Sequence, residues 1–572
     1  MSNRAKLGVI VAIVVAVATA SLVVRSRAGG VSGMEWTQIG PQPLEIDAEQ
    51  NYQGTGPDSG EVADIAVDPR GTSDQVIFIA TEAGGIWQSL DGGNTWRTTF
   101  DQTASLSTGA VALDPGNPSI VYAGTGNITS QGFFKGVGVY KSIDDGQTWT
   151  LAPMTGTNLN SGNFGINRIV LPAANLLLVA TNVGLFRSID GGNTSTVVPV
   201  GGTNTYITDI HNDTAGGGGV YAALKGVGIF HSSDQGMTWG TNLFTGSNGS
   251  PLSVANFTPG FISFAQTTAP NNQTIYASVQ NVNKSAAAPF WGLFVTTNGG
   301  STWTQATANN NPSNNCGQCG YDQTIGVDAQ DGTRVYLGFV NMWYSTDSGA
   351  NFTEFSPQDH NDHHALTFTP HLAGAPNTFY DGQDGGVAMV TGGSTFTDIN
   401  GQIGTPGVGT ALATSLFRDL DIGRGSSTNN QYSYGGTQDT GTPRTIAGDT
   451  PNTWHLHIDG DGAGTAVDPC NPQNAVFMDD GCLTWTTDGL TSNSFPGNTA
   501  GVPAPGAGYF AGPAFATGKT LVYDQQCTSG ADNTVYASVT QFTTQATNGC
   551  LGGGTTSNEL LRSTDGGHNY AQ

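Results

Sequence analysis

The stretch Ile65–Trp96, IAVDPRGTSDQVIFIATEAGGIWQSLDGGNTW, holds one complete structural unit. An apolar run closes at Asp68-Pro69, and a second, Val76 to Ala80, has the length and residue types of a strand. A third run enters Ser89-Leu90-Asp91-Gly92-Gly93-Asn94-Thr95-Trp96. Asp-Gly-Gly between two strands is a hairpin turn, because glycine supplies the positive φ that a tight turn needs. The order returns at VALDPGNPSIVYAGTGN (Val111–Asn127) with GVYKSIDDGQTW (Gly138–Trp149). Weaker copies end at Ser195, Trp239, Trp303, Phe352 and Tyr570, and lone first halves stand at Thr465–Gly481 and Leu521–Val539. About ten units result, spaced by roughly 40 to 60 residues, which is the span of four short strands. Such units cannot each bury both faces and must stack around an axis. The sequence therefore predicts an all-β fold, a single large β-propeller of about ten four-stranded blades over residues 29–572.

Composition agrees. With 83 glycines in 572 residues, 11% charged residues and no long amphipathic helical pattern, the chain reads as turn-rich and all-β. Residues 1–28 stand apart: Arg4 and Lys6 precede an apolar run from Leu7 to Val24, closed by Arg25 and Arg27. The run is short for a membrane span, and Ala18-Thr19-Ala20 offers a small-residue cleavage site, so a signal peptide and an N-terminal membrane anchor both stay open. Either one implies export, to the periplasm, the medium or the outer side of the membrane, with membrane contact only through this segment.

Beyond residue 28 the chain has 14 basic against 43 acidic side chains, a net charge of −29. Nucleic acid and anionic membrane surfaces need clustered Lys and Arg and are excluded as partners. An extracellular glycan, a protein or a cation fits this charge. Six cysteines in an exported chain predict disulfides, and proximity pairs Cys316 with Cys319, Cys470 with Cys482 and Cys527 with Cys550.

The Ser-x-Asp-x-Gly-x-Thr-Trp hairpin resembles the Asp-box, or BNR repeat, of sialidases, xyloglucanase-type glycosidases, the sortilin ectodomain and photosystem II assembly factors. With SGEVADIAVDP, GGIWQSLDGGNTW, HNDHHALTF, GQDGGV, GGTQDTGT and DGDGAGTAVDP, the chain looks most like bacterial exported BNR-repeat proteins. The resemblance implies a propeller whose boxes lie away from any site. A sialidase-like site would need three gathered arginines and a Tyr-Glu pair, whereas this chain has twelve arginines, seven glutamates and no Arg-Ile-Pro strand. A xyloglucanase-like site would need two aspartates across a cleft. Those enzymes resemble two seven-unit propellers, for which the chain is short. Ten units in one ring, as in the sortilin ectodomain, fit its length better, with Trp36–Gly40 helping to close the ring against the last unit, while splits of five plus five or seven plus three units stay open.

In a propeller the loops between units share a face with the turns after each second strand. That rule gathers Ser356–His364 with His360, Asp362, His363 and His364, then Asp384, then Gln438 and Asp439, then His455, His457, Asp459 and Asp461, and finally Asp479-Asp480. Three uses of this face are open. Imidazoles and carboxylates hold a divalent cation, calcium or a transition metal; Asp384 and Asp461 act as acid and base; or Asp-Gly turns satisfy backbone groups. Two insertions, one with Phe133 and Phe134 and one ending Pro289-Phe290-Trp291, offer aromatics to a ligand or pack as local lids.

Overall fold

The computed structural model describes most of residues 57–490, residues 41 and 43–46, and beyond 490 the strands at 497–498, 521–523, 534–541 and 557–564. Among these residues the chain is all-β. Ten successive antiparallel sheets follow the repeat, each built from strands in simple up-and-down order. Seven have four strands, the fourth and tenth have three, and the eighth gains a fifth. These are the predicted ten blades. In the first blade the strands are Val62–Val67, Ile77–Thr81, Gly85–Ser89 and Arg97–Thr98.

The Ser-x-Asp turns are bound alike in one blade after another. Gly93 N donates to Ser89 Oγ (2.8 Å), and Thr95 N and Thr95 Oγ1 donate to the Asp91 carboxylate (2.8 and 2.7 Å). The same set recurs at Ser142/Asp144/Thr148, Ser188/Asp190/Thr194 and Ser232/Asp234/Thr238. Carboxylates that accept several hydrogen bonds are favoured in the ionised form, and Asp234 is accordingly pulled down to about 2, first by the Thr238 hydroxyl. The role of the Asp in the repeat is thus local: it fixes the turn.

Blades join through side chains that cap a neighbour's inner strand. Asp64 accepts from Val111 N (3.0 Å), Asp209 from Phe264 N (2.9 Å) and Asp421 from Val467 N (3.0 Å). Apolar side chains fill the wedges between sheets.

The propeller class and the ten blades hold, but the blades do not form one ring. The first blade packs against the seventh: Val62, Ile65, Ile79 and Trp96 share a core with Ala365, Tyr380, Val387 and Ile399. Thr367 Oγ1 donates to Ile65 O (3.0 Å), and Trp96 Nε1 donates to Ile399 O (2.6 Å) across the same seam. Seven blades therefore close on themselves. In blades eight to ten the inner strands Phe417–Ile422, Gly462–Val467 and Leu521–Tyr523 each lie beside the next. The segment Leu44–Ile46 runs parallel to Trp454–Leu456 as the extra strand of blade eight, and Leu44 also pairs with Asp58, just before blade one. Trp36–Gly40 and the apolar run Leu7–Val24 lie outside the described residues, among which no helix is long and apolar enough to cross a membrane.

Candidate functional site

Ring closure places blade one beside blade seven, and the turns of blade eight reach the same face. Glu61 and Asp362 lead into the inner strands of blades one and seven, and Tyr321-Asp322 lead into that of blade six, Thr324–Val327. Glu82, Asp384 and Asp439 occupy the turn after the second strand in blades one, seven and eight. The inner strands of blades seven and eight each carry a bulge, which leaves His364 and Arg418 without a ladder partner. A bulged residue is turned out of the regular alternation, so both side chains are re-aimed at this face. Asp362 and Asp439 both adopt φ of 60°, a left-handed backbone that Asp tolerates better than most residues. Behind the Asp384 turn, a Cβ on Gly385 would fall 2.5 Å from the His360 ring, so the close packing there requires glycine.

His364 and Asp384 form the centre. His364 Nε2 lies 2.5 Å from Asp384 Oδ1, and its Nδ1 faces the Tyr321 carbonyl at 3.1 Å. The Tyr321 hydroxyl donates to Asp384 Oδ2 at 2.8 Å and stands 3.4 Å from Glu61 Oε2. Asn127 Nδ2 donates to Glu61 Oε1 at 2.6 Å. At the other edge Asp461 Oδ1 accepts from Asp439 N and pairs with Arg418, each at 3.4 Å.

Burial and mutual repulsion govern protonation here. Burial, then the charges of Asp439, Asp362 and Glu61, push the Asp384 carboxyl well above the carboxylate range. Burial, then Glu61, Asp384 and Asp439, do the same to Glu82. Asp439 is pushed up to about 8, by burial and then by Asp461. Asp362 is pushed up to about 8, by burial and then by Asp322, which itself rises to about 6 through burial. Burial works against the His364 cation, but Glu61, Asp322 and Asp362 outweigh it and raise its pKa. His360, without such compensation, is lowered by burial to about 4 and stays neutral. The face is therefore a nest of carboxyl groups, several of them still protonated near neutral pH.

Several residues singled out in the sequence meet here, and others do not. His360, Asp362, His364, Asp384, Asp439 and Asp461 lie on the face, with Gln438 beside Asp439. Asp461 touches Asp439 and Arg418, which places Asp439 and not Asp461 among the charges acting most strongly on Asp384. His363 is fully buried inside blade seven, where its Nδ1 meets Asp381 Oδ2 at 2.8 Å, so it is a core residue. His455 sits on the outer strand Trp454–Leu456 near Asp449, 3.7 Å away, in a different place. His457, Asp459, Cys316, Cys527 and Cys550 lie outside the described residues, as does the Cys482 side chain. Cys319 and Cys470 are both disulfide-bonded. Phe290 is no exposed ligand platform: it packs edge-on against Phe339 at 5.0 Å in the core. The residues not foreseen are Glu61, Glu82, Tyr321, Asp322 and Arg418.

Fold and face together define a β-propeller with an acidic, carboxyl-rich loop face. No family model and no curated protein matches the chain. Solved structures do. The chain is similar to a GH74 enzyme from Niastella koreensis, at 16% identity over 90% of this chain and 78% of that one, with a TM-score of 0.52. An ancestral GH74 enzyme gives 15% identity, 94% and 85% coverage and a TM-score of 0.51. At these identities the likeness extends to the fold.

Proposed function

We propose that the chain is an exported β-propeller that binds an extracellular glycan on the face where blades one, six, seven and eight meet. The observation that carries this is the convergence of Glu61, Glu82, Asp362, Asp384 and Asp439 around His364 and Tyr321. A mixture of protonated and ionised carboxyls both donates and accepts hydrogen bonds, which suits the hydroxyls of a neutral sugar. An anionic sugar would meet uncompensated negative charge, with Arg418 already engaged by Asp461. Export rests on the apolar leader, read as residues 1–28 ahead of a propeller over 29–572. Calorimetry of the fragment from Gly29 onward against neutral and sialylated oligosaccharides tests the proposal. Binding of a neutral member that Asp384→Asn abolishes supports it, and a silent panel with a folded protein overturns it.

Glycoside hydrolysis is a second reading, favoured by one observation. Asp439, held protonated to about 8, has the property of a general acid at neutral pH. Asp384 or Asp461 would then be the second carboxyl. Release of reducing ends by wild type but not by Asp439→Asn selects this reading. Binding without release rejects it.

A further inference from the structure

Three donor groups at the centre of the face are arranged as ligands. One oxygen each of Glu61 and Asp384 and one nitrogen of His364 all lie within 4.8 Å of one another. The Tyr321 carbonyl at His364 Nδ1 fixes the ring so that Nδ1 carries hydrogen and Nε2 faces the carboxylates, the arrangement that orients metal-bound imidazoles. A further acidic residue, Glu82, lies next to Glu61. It is only 6% exposed, and its backbone N donates to the Glu61 carbonyl at 3.1 Å, which sets the residue beside the group. Carboxyls gathered with one imidazole in so buried a place are costly unless a cation is shared between them.

We propose that Glu61, His364 and Asp384 bind one divalent transition-metal ion, with Glu82 beside them as a further carboxylate. The imidazole selects the ion: calcium and magnesium prefer all-oxygen shells, whereas manganese and zinc accept mixed nitrogen and oxygen. The ion takes the place of the proton that now lies between His364 Nε2 and Asp384 Oδ1. This deepens the ligand-face reading and rests on it only in location, since an ion on the floor of the face would present an open coordination position to a sugar hydroxyl.

The test is metal binding by the chelator-stripped fragment from Gly29 onward, titrated separately with MnCl2, ZnCl2 and CaCl2. The expected result is one manganese or zinc ion per chain, with weaker calcium binding. Glu61→Gln, His364→Gln and Asp384→Asn should each weaken it at least tenfold, while His231→Gln on blade four binds as wild type. Nitrogen coupling to bound Mn2+ in pulsed electron paramagnetic resonance reports the imidazole in the wild-type chain, independent of how the variants fold. No stoichiometric ion, calcium bound most tightly, or manganese bound without nitrogen coupling would each overturn the proposal. Glycan binding measured in chelator separates this failure from failure of the ligand-face reading.

Discussion

His364 Nε2 and Asp384 Oδ1 stand 2.5 Å apart, and the other ring nitrogen of His364 faces a carbonyl oxygen that can only accept. A proton therefore lies in the short contact, whichever partner it formally belongs to. Tyr321 holds the far oxygen of the same carboxyl, so the group is oriented from both sides.

Asp384→Asn keeps this geometry, because the amide nitrogen can donate to Nε2 while the amide oxygen accepts from Tyr321. It also removes a carboxyl whose ionisation burial and its neighbours oppose. In chelator at pH 7.5 the variant should be as stable as wild type or about 1 kcal/mol more stable, yet lose glycan binding. Urea melting beside calorimetry separates the two effects. Marked destabilisation would assign Asp384 a structural role instead.

His363 should behave in the opposite way. Its pair with Asp381 is fully buried, so His363→Ala strands a carboxylate in the core of blade seven. A loss of about 3–5 kcal/mol in urea melting is expected.

Asp439 carries a pH signature. Its folded pKa, about 8, lies above that of an unfolded Asp, so the folded chain holds a proton that the unfolded chain has released between about pH 4 and 8. Its contribution to stability falls as pH rises through that window. Asp439→Asn, measured in chelator, should match wild type near pH 4 and gain stability progressively towards pH 8. A tenfold difference in proton affinity between folded and unfolded chain corresponds to about 1.4 kcal/mol, and a gain of at least that size is expected at pH 8. A constant difference across the range would contradict the assignment.

The seam between blades one and seven holds the ring shut. Trp96 is 1% exposed and bonded to Ile399 O, so Trp96→Ala should cost about 3–5 kcal/mol and Trp96→Phe about 1 kcal/mol. Denaturant melts of both variants check this.

Blade number and turn chemistry were legible in the sequence because they are local: Ser89, Asp91 and Thr95 bond within one hairpin. The loop rule also found His364, Asp384 and Asp439, since it needs only the order of strands. Ring closure is different, because it depends on how Val62 and Trp96 pack against residues about 300 positions away. Assuming one ring of ten put blade one beside blade ten, and so hid Glu61 and Glu82, which hold the same loop positions in blade one as Asp362 and Asp384 in blade seven. Tyr321 and Arg418 were hidden for other reasons: one acts through a carbonyl and a hydroxyl, the other through a bulge that no residue pattern marks. His363 was misplaced because adjacent residues on a strand face opposite ways.

The most direct measurement is the affinity of wild type, Asp384→Asn and Asp91→Ala for a panel of neutral oligosaccharides. Asp91 lies in a hairpin turn on the opposite face and should leave binding unchanged. Loss of at least tenfold in Asp384→Asn alone is the predicted result. Equal binding by all three, or none by the folded wild type, would contradict a glycan site on the His364–Asp384 face.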